Sequence, residues 1–295
     1  MAGSSELGEF LRACRADVTP ESVGLDGGQA RRVRGLRREE VALLAGVSVD
    51  YYTRLEQGRH ASPSESVVEA IARALGLDDA ARAHLANLAS RVRRPAERPS
   101  AQRVRPAVAQ LLRSFVDHPA FVVGRRTDIL ASNALARALL TDWDRKPARE
   151  RNYTRWMVLD PEARARYADW EAVTAEVVGT LRLDAGRHPD DPLLNELVGE
   201  LTIKSPEFRR WWGDNRVHQR THGTKRMRHP EIGDITIIYE ALALPGDADQ
   251  TLFVYTAAPG SRSADNLRLL ASWAAQRRAG ASPERSDSSD VPHRA

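Results

Sequence analysis

The sequence predicts an all-α helix-turn-helix domain of five helices, followed by an α+β domain with a five-stranded antiparallel sheet and a helical insertion. Three observations predict this. Residues 36–58 (LRREEVALLAGVSVDYYTRLEQG) hold two short helical periods that meet at Gly46. Beyond residue 106, about five short strand-like runs are split by a long block of helical periodicity. Between these halves, residues 91–105 (RVRRPAERPSAQRVR) carry six arginines, two prolines and no apolar period, which is linker composition. The expected organisation is therefore 5–90, a linker at 91–105, a second domain at 106–278 and a disordered tail at 279–295.

Along residues 5–16, Leu7, Phe10, Leu11 and Cys14 recur at helical spacing and form the inner face of a first helix. A loop containing Pro20, Gly24, Gly27 and Gly28 leads into RRVRGLRR, where Arg31, Arg32, Arg34, Arg37 and Arg38 fall within eight residues. The next helix turns Val41, Leu44 and Ala45 inward and closes at Gly46, which tolerates positive φ. Ser48 caps the following helix, which points Tyr52 and Leu55 inward and Asp50, Thr53, Arg54 and Gln57 outward. After a loop closed by Ser62-Pro63-Ser64, a fourth helix turns Val67, Val68, Ile71 and Leu75 inward and stops at Gly76. Asp78 and Asp79 open a fifth, with Leu85 and Leu88 in the core.

In the second half, PAVAQLLRSFVD is a helix, PAFVVG and TDILASN are strands, and ALARALLTDW is a helix. Residues 161–185 form one helix with Tyr167, Trp170, Thr174, Val177 and Leu181 along one stripe. DPLLNELVGELTI and SPEFRRWWG are two more helices. RTHGTKRMRHP, GDITIIYEALAL and DQTLFVYTAAPG are strands, the last two joined by a turn at Pro245-Gly246-Asp247, and SADNLRLLASWAAQRR is a closing helix. The helices are expected on one face of the sheet, an arrangement that often encloses a ligand site.

Net charge is only +4, but seventeen arginines against fourteen acids in residues 1–105 place most of the excess beside the helix-turn-helix. Lys146, Lys204 and Lys225 are the only lysines, a bias that fits either arginine selection for phosphate or GC-rich coding. A single cysteine, Cys14, excludes an intramolecular disulfide and a thiolate metal cluster. No run approaches the roughly 18 apolar residues of a membrane span, and MAGSSELGEF lacks the regions of a signal peptide, so a cytoplasmic setting without membrane contact is expected.

A short helix with a buried seam and a polar outer face suits the DNA major groove, although an ordinary helical hairpin has the same periodicity. On the DNA reading, double-stranded DNA is the partner: Val49, Asp50, Tyr51 and Arg54 read bases, and Arg31, Arg32, Arg34, Arg37, Arg38, Arg59 and His60 hold phosphates. One recognition helix reads few bases, so a homodimer is expected, with helices about 34 to 36 Å apart. The aromatics Trp156, Trp170, Phe208, Trp211, Trp212, Tyr239 and Phe253 are either ordinary core or the lining of an apolar cavity. His218 and His222 stand beside a predicted strand with no carboxylate pair, so no metal is expected. No nucleophile elbow, phosphate-binding glycine loop or catalytic cysteine context is present, and neither an enzyme nor a cofactor is expected. An enzyme housed in the second domain, or a partner-binding module without a small ligand, remain the alternative classes.

The stretch GLRREEVALLAGVSVDYYTRLEQGR, continued by SPSESVVEAIARALGLDDAARAHLANLA, resembles the Xre/Cro-type helix-turn-helix of actinobacterial regulators. The pieces TDILASNALARAL, RNYTRWMVLDPEARARYADWE, HPDDPLLNELVGEL, SPEFRRWW, RHPEIGDITIIYEAL and FVYTAAPGSRSADNLRLLA resemble the MmyB-like ligand-binding domain. The second resemblance implies a PAS-like fold and a fatty-acid-like, apolar effector.

Overall fold

The computed structural model describes residues 2–25, 35–59, 63–90, 101–215, 217–247 and 249–280. In the N-terminal part, helices α1 (Ala2–Asp17), α2 (Arg38–Ala45), α3 (Val49–Glu56), α4 (Glu65–Ala74) and α5 (Asp79–Ser90) enclose one core. Leu7, Phe10, Leu11, Leu36, Tyr52, Leu55, Ile71 and Leu85 fill it. Cys14 packs at its edge, where burial pushes the thiol up to about 12. One inward assignment fails: Leu44 is exposed, and Ala42 is buried instead. The inner stripe of α2 is Val41, Ala42 and Ala45, because the helix is only eight residues long and rolls its small residues onto the core.

The C-terminal part carries strands β1 (Ala120–Val123), β2 (Ile129–Ser132), β3 (His222–His229), β4 (Gly233–Ala243) and β5 (Thr251–Thr256) in one sheet of order β2-β1-β5-β4-β3, every pairing antiparallel. Helices α6 (Pro106–Ser114), α7 (Ala134–Leu139), α8 (Tyr153–Leu159), α9 (Pro161–Arg166), α10 (Trp170–Arg187), α11 (Pro192–Lys204), α12 (Pro206–Gly213) and α13 (Arg262–Gly280) surround it. This is the expected PAS-like plan, with the helical block between β2 and β3. Cross-strand pairs Phe121↔Phe253 and Tyr239↔Tyr255 give the inner face an aromatic row, on which Trp143, Trp156 and Met157 pack.

Three expectations change. The helices do not keep to one face: α6 covers the other side of β1 and β5, where Val108 and Leu112 meet Ala120, Val122 and Leu252. Strand alternation sends Phe121 to one core and Val122 to the other. The helix expected over 161–185 breaks into α9 and α10, because Tyr167 turns extended to pair with Met227 while the Ala168 N–H donates to the Arg226 carbonyl at 3.0 Å. Residues 153–159 form a further helix, α8, capped by Asn152. The closing helix runs through Gly280, two residues past the expected end.

Residues 101–105, expected within the linker, bind the C-terminal part. Arg105 pairs with Asp247 at 2.5 Å, and the Arg103 carbonyl accepts from Gln250 at 3.1 Å. The remaining linker residues 91–100 and the tail from 281 lie outside the described residues.

Candidate DNA-reading face and effector cavity

The turn between α2 and α3 follows from two residues. Gly46 sits at φ +66°, which brings the Val47 N–H to the Ala42 carbonyl at 3.0 Å and ends α2. The Ser48 side chain accepts the Tyr51 N–H at 3.1 Å and starts α3. Tyr52 and Leu55 are buried, so Val49, Asp50 and Arg54 face outward and Tyr51 is half-buried. Asp50 and Arg54 are joined at 2.8 Å across one helical turn.

Sequence reasoning missed the group that holds α3 in place. Glu56 is buried and accepts from Arg15 at 2.9 and 3.1 Å and from Arg38 at 3.2 Å on both oxygens. Burial works against its charge, but the two guanidinia hold the carboxyl below the ordinary glutamate value. Arg38, an expected phosphate contact, is thus committed in part to an internal pair. The Arg37 backbone N–H donates to Glu40 at 2.6 Å, leaving the side chain exposed, and Arg59 is exposed just past α3. Arg31, Arg32, Arg34 and His60 lie outside the described residues.

The C-terminal part has a cavity of about 150 Å³ between the sheet and α10. Val123, Ala241, Ala243 and Phe253 of the sheet form one wall, and Thr180, Leu183, Asp184 and Arg187 of α10 form the other. These α10 positions follow an i, i+3, i+4, i+7 stripe, which puts them on one helix face. The rim is strained: Arg126 and Thr127 both have positive φ, at +57° and +64°. Their neighbours enforce it. The Arg126 N–H donates to Asp184 at 2.6 Å, its guanidinium reaches Asp128 and Asp191 at 2.6 Å each, and Thr127 bonds Thr154 at 2.7 Å. Burial raises the Asp184 carboxyl, whereas His188 and Arg125 hold Asp249 down at about 2.

Of the seven aromatics singled out from the sequence, Phe253 lines this cavity and Tyr239 stands behind Arg220. Trp156 is core, and Trp170 is core with its indole N–H donated to the Met157 carbonyl at 2.7 Å. Phe208 is buried in a satellite cluster against which Trp211 and Trp212 pack. The residues the sequence did not mark are Arg220, Lys225 and Tyr153. A signal for Lys225 existed: it occupies the inward phase of β3, between Gly223 and Met227. Among the described residues, no group of three or more His, Cys, Asp or Glu side chains is placed to hold a metal, and no helix is long and apolar enough to cross a membrane.

The opposite face of α10 meets the N-terminal helices. A Cβ on Gly186 would lie 2.2 Å from Nδ1 of His84 in α5, so the two helices touch at a bare backbone. The His84 ring is buried and packs edge-on against Phe10 at 4.9 Å. One turn earlier Arg182 stacks on Trp212 at 4.2 Å and bonds its carbonyl; burial lowers this guanidinium to about 10, opposed by Glu6 and Glu9 of α1.

Residues 104–270 match the family model of the MmyB-like transcription regulator ligand binding domain, and residues 6–85 match that of a helix-turn-helix domain. No curated protein matches the chain. With a DNA-binding fold followed by this ligand-binding domain over more than half its length, the chain belongs to the MmyB-like transcription regulators.

Proposed function

We propose that this regulator is cytoplasmic, acts as a homodimer of the Xre type, and changes its affinity for a specific operator when a small molecule with an apolar body occupies the cavity beside α10. The observation that supports it best is the double use of α10: Leu183 and Asp184 line the cavity, while Arg182 and Gly186 face α1 and α5. A ligand that moves α10 by a fraction of an ångström shifts the platform on which α3 stands. Val49, Asp50, Tyr51 and Arg54 read bases in this scheme. Arg37, Arg59 and the arginine-rich segment 31–38 hold the backbone. A cavity of about 150 Å³ accommodates a benzene-sized body.

The test is selection of an operator from random DNA by the full-length protein, followed by affinity measurement at several salt concentrations. The expected result is a two-fold-symmetric site bound at least about 10³-fold tighter than random DNA, with log K falling against log salt at a slope of roughly −4 to −5 per monomer. Equal affinity for selected and random sequences, or a slope near zero, would overturn it.

A further inference from the structure

Arg220 lines the cavity and is about nine-tenths buried, with 9% of its surface exposed. Its Nε and Nη2 have no hydrogen-bond partner. Its guanidinium lies 4.9 Å from the Phe253 ring, 5.2 Å from Tyr153 and 5.3 Å from Tyr239. Behind it Lys225, 2% exposed, donates to the hydroxyls of Tyr153 at 3.4 Å and Tyr255 at 3.3 Å. Two buried cations therefore share one aromatic chamber, and among the described residues no carboxylate is in ion-pair contact with either, Glu176 acting on Lys225 only from farther away.

The acids of the cavity wall are committed elsewhere. Asp249 pairs with Arg125 at 2.6 Å and with His188 at 3.0 Å, and Asp184 accepts the Arg126 N–H. Burying an ion without a counter-charge is strongly unfavourable, and an unpaired buried donor loses its hydration without replacement. Aromatic faces offset part of this by cation–π attraction, but they do not supply the in-plane acceptors a guanidinium needs. The chamber carries the mark of this imbalance. Burial and the Arg220 charge push Lys225 down to about 8; against burial, the two cations lower the Tyr153 hydroxyl to about 8.

We infer that the cavity is built for a compact organic carboxylate about the size of benzoate, its anionic group drawn to the Arg220 guanidinium with Lys225 as the deeper positive charge. This names the ligand class for the effector reading above and rests on it. Size and charge both argue for it: the space suits a ring or a short branched chain, and Arg220 brings to its wall a charge without an ion-pair partner and donors without acceptors, a group whose planar geometry matches a carboxylate. Lys225 acts through the Tyr153 and Tyr255 hydroxyls, so it positions and supports without touching the ligand in this arrangement.

The experiment is calorimetric titration of the full-length protein with benzoate and isovalerate and with their uncharged amides, benzamide and isovaleramide, alongside decanoate and decanol. A carboxylate bound at least tenfold tighter than its amide is expected, and this comparison needs no variant. Arg220→Met should level the pair, while Arg220→Lys, which keeps the charge but loses the fork, should retain an intermediate preference. Near-ultraviolet circular dichroism checks that each variant is folded. Amides binding as well as the acids, or Arg220→Met keeping the preference, overturns the carboxylate site. Decanoate and decanol binding alike while both short acids stay silent overturns it and leaves the effector reading standing. No binding by any of the six removes both.

Discussion

Glu56 decides how α3 is presented, because its carboxylate ties the end of that helix to Arg15 on α1 and Arg38 on α2. Glu56→Gln leaves the guanidinia of Arg15, Arg38 and, at 3.6 Å, Arg12 facing a neutral amide, and should destabilise the protein by about 2 to 4 kcal/mol in chemical denaturation. The pH sign follows from the depressed carboxyl. A glutamate lowered in the folded state contributes its stability above the ordinary value of 4.5 and loses it as pH falls through the lower folded value. The gap between wild type and Glu56→Gln should therefore be full at pH 7 and shrink below pH 4.5; a gap constant down to pH 3 refutes the assignment. Arg54 is different, since its pair with Asp50 is exposed and contributes about 0 to 1 kcal/mol. Arg54→Ala should barely change the melting temperature yet cost about 1 to 3 kcal/mol at one base position, relaxing specificity there. Loss of the same size on random DNA would remove its reading role. At this scale sequence reasoning sees the outward face of α3 but neither Glu56 nor Arg220. Their partners lie far along the chain: Arg15 is 41 residues from Glu56, and the rings around Arg220 come from α8, β4 and β5.

Elements whose signal is local were legible. Gly46 and Ser48 set the turn and the cap through their own backbone and side chain, and β3 and β4 alternate buried and exposed residues along most of their length. Elements shaped by a partner were not. Nothing in PEARARYADWE marks the interruption at Tyr167, because it depends on β3 offering Arg226 and Met227 as hydrogen-bonding neighbours. The register of α10 against α5 is of the same kind. Gly186→Ala would drive a methyl into the His84 ring, which Phe10 prevents from swinging away, so the helices must separate. The expected outcome is a loss of about 1 to 3 kcal/mol from overpacking. With it, binding in the cavity should cease to alter DNA affinity, while each site alone still binds. A Gly186→Ala variant that keeps both its stability and its ligand response would show that the seam carries no coupling.

The division into a DNA-binding half and a ligand-binding half could be read from composition, charge and motif, whereas the seam between them could not, since it joins α5 to α10 across the arginine-rich linker. On the proposed reading, that seam is where ligand and operator would act on each other. If ligand and operator act on the same two-state arrangement of α10 and α5, each must change the other's affinity by one common factor, typically 5- to 150-fold. A ligand that binds both arrangements equally shifts nothing, however tightly it binds. We therefore expect benzoate affinity, measured by calorimetry with and without a saturating operator duplex, to change by the same factor as operator affinity measured with and without saturating benzoate. The sign is free, because a repressor and an activator differ only in which arrangement the ligand prefers. Random DNA of equal length should leave benzoate affinity nearly unchanged, since it engages phosphates without requiring both reading helices in register. Factors that disagree beyond error would mean that the two sites answer to different motions, and a factor of one in both directions would reduce the cavity to a structural feature of the domain.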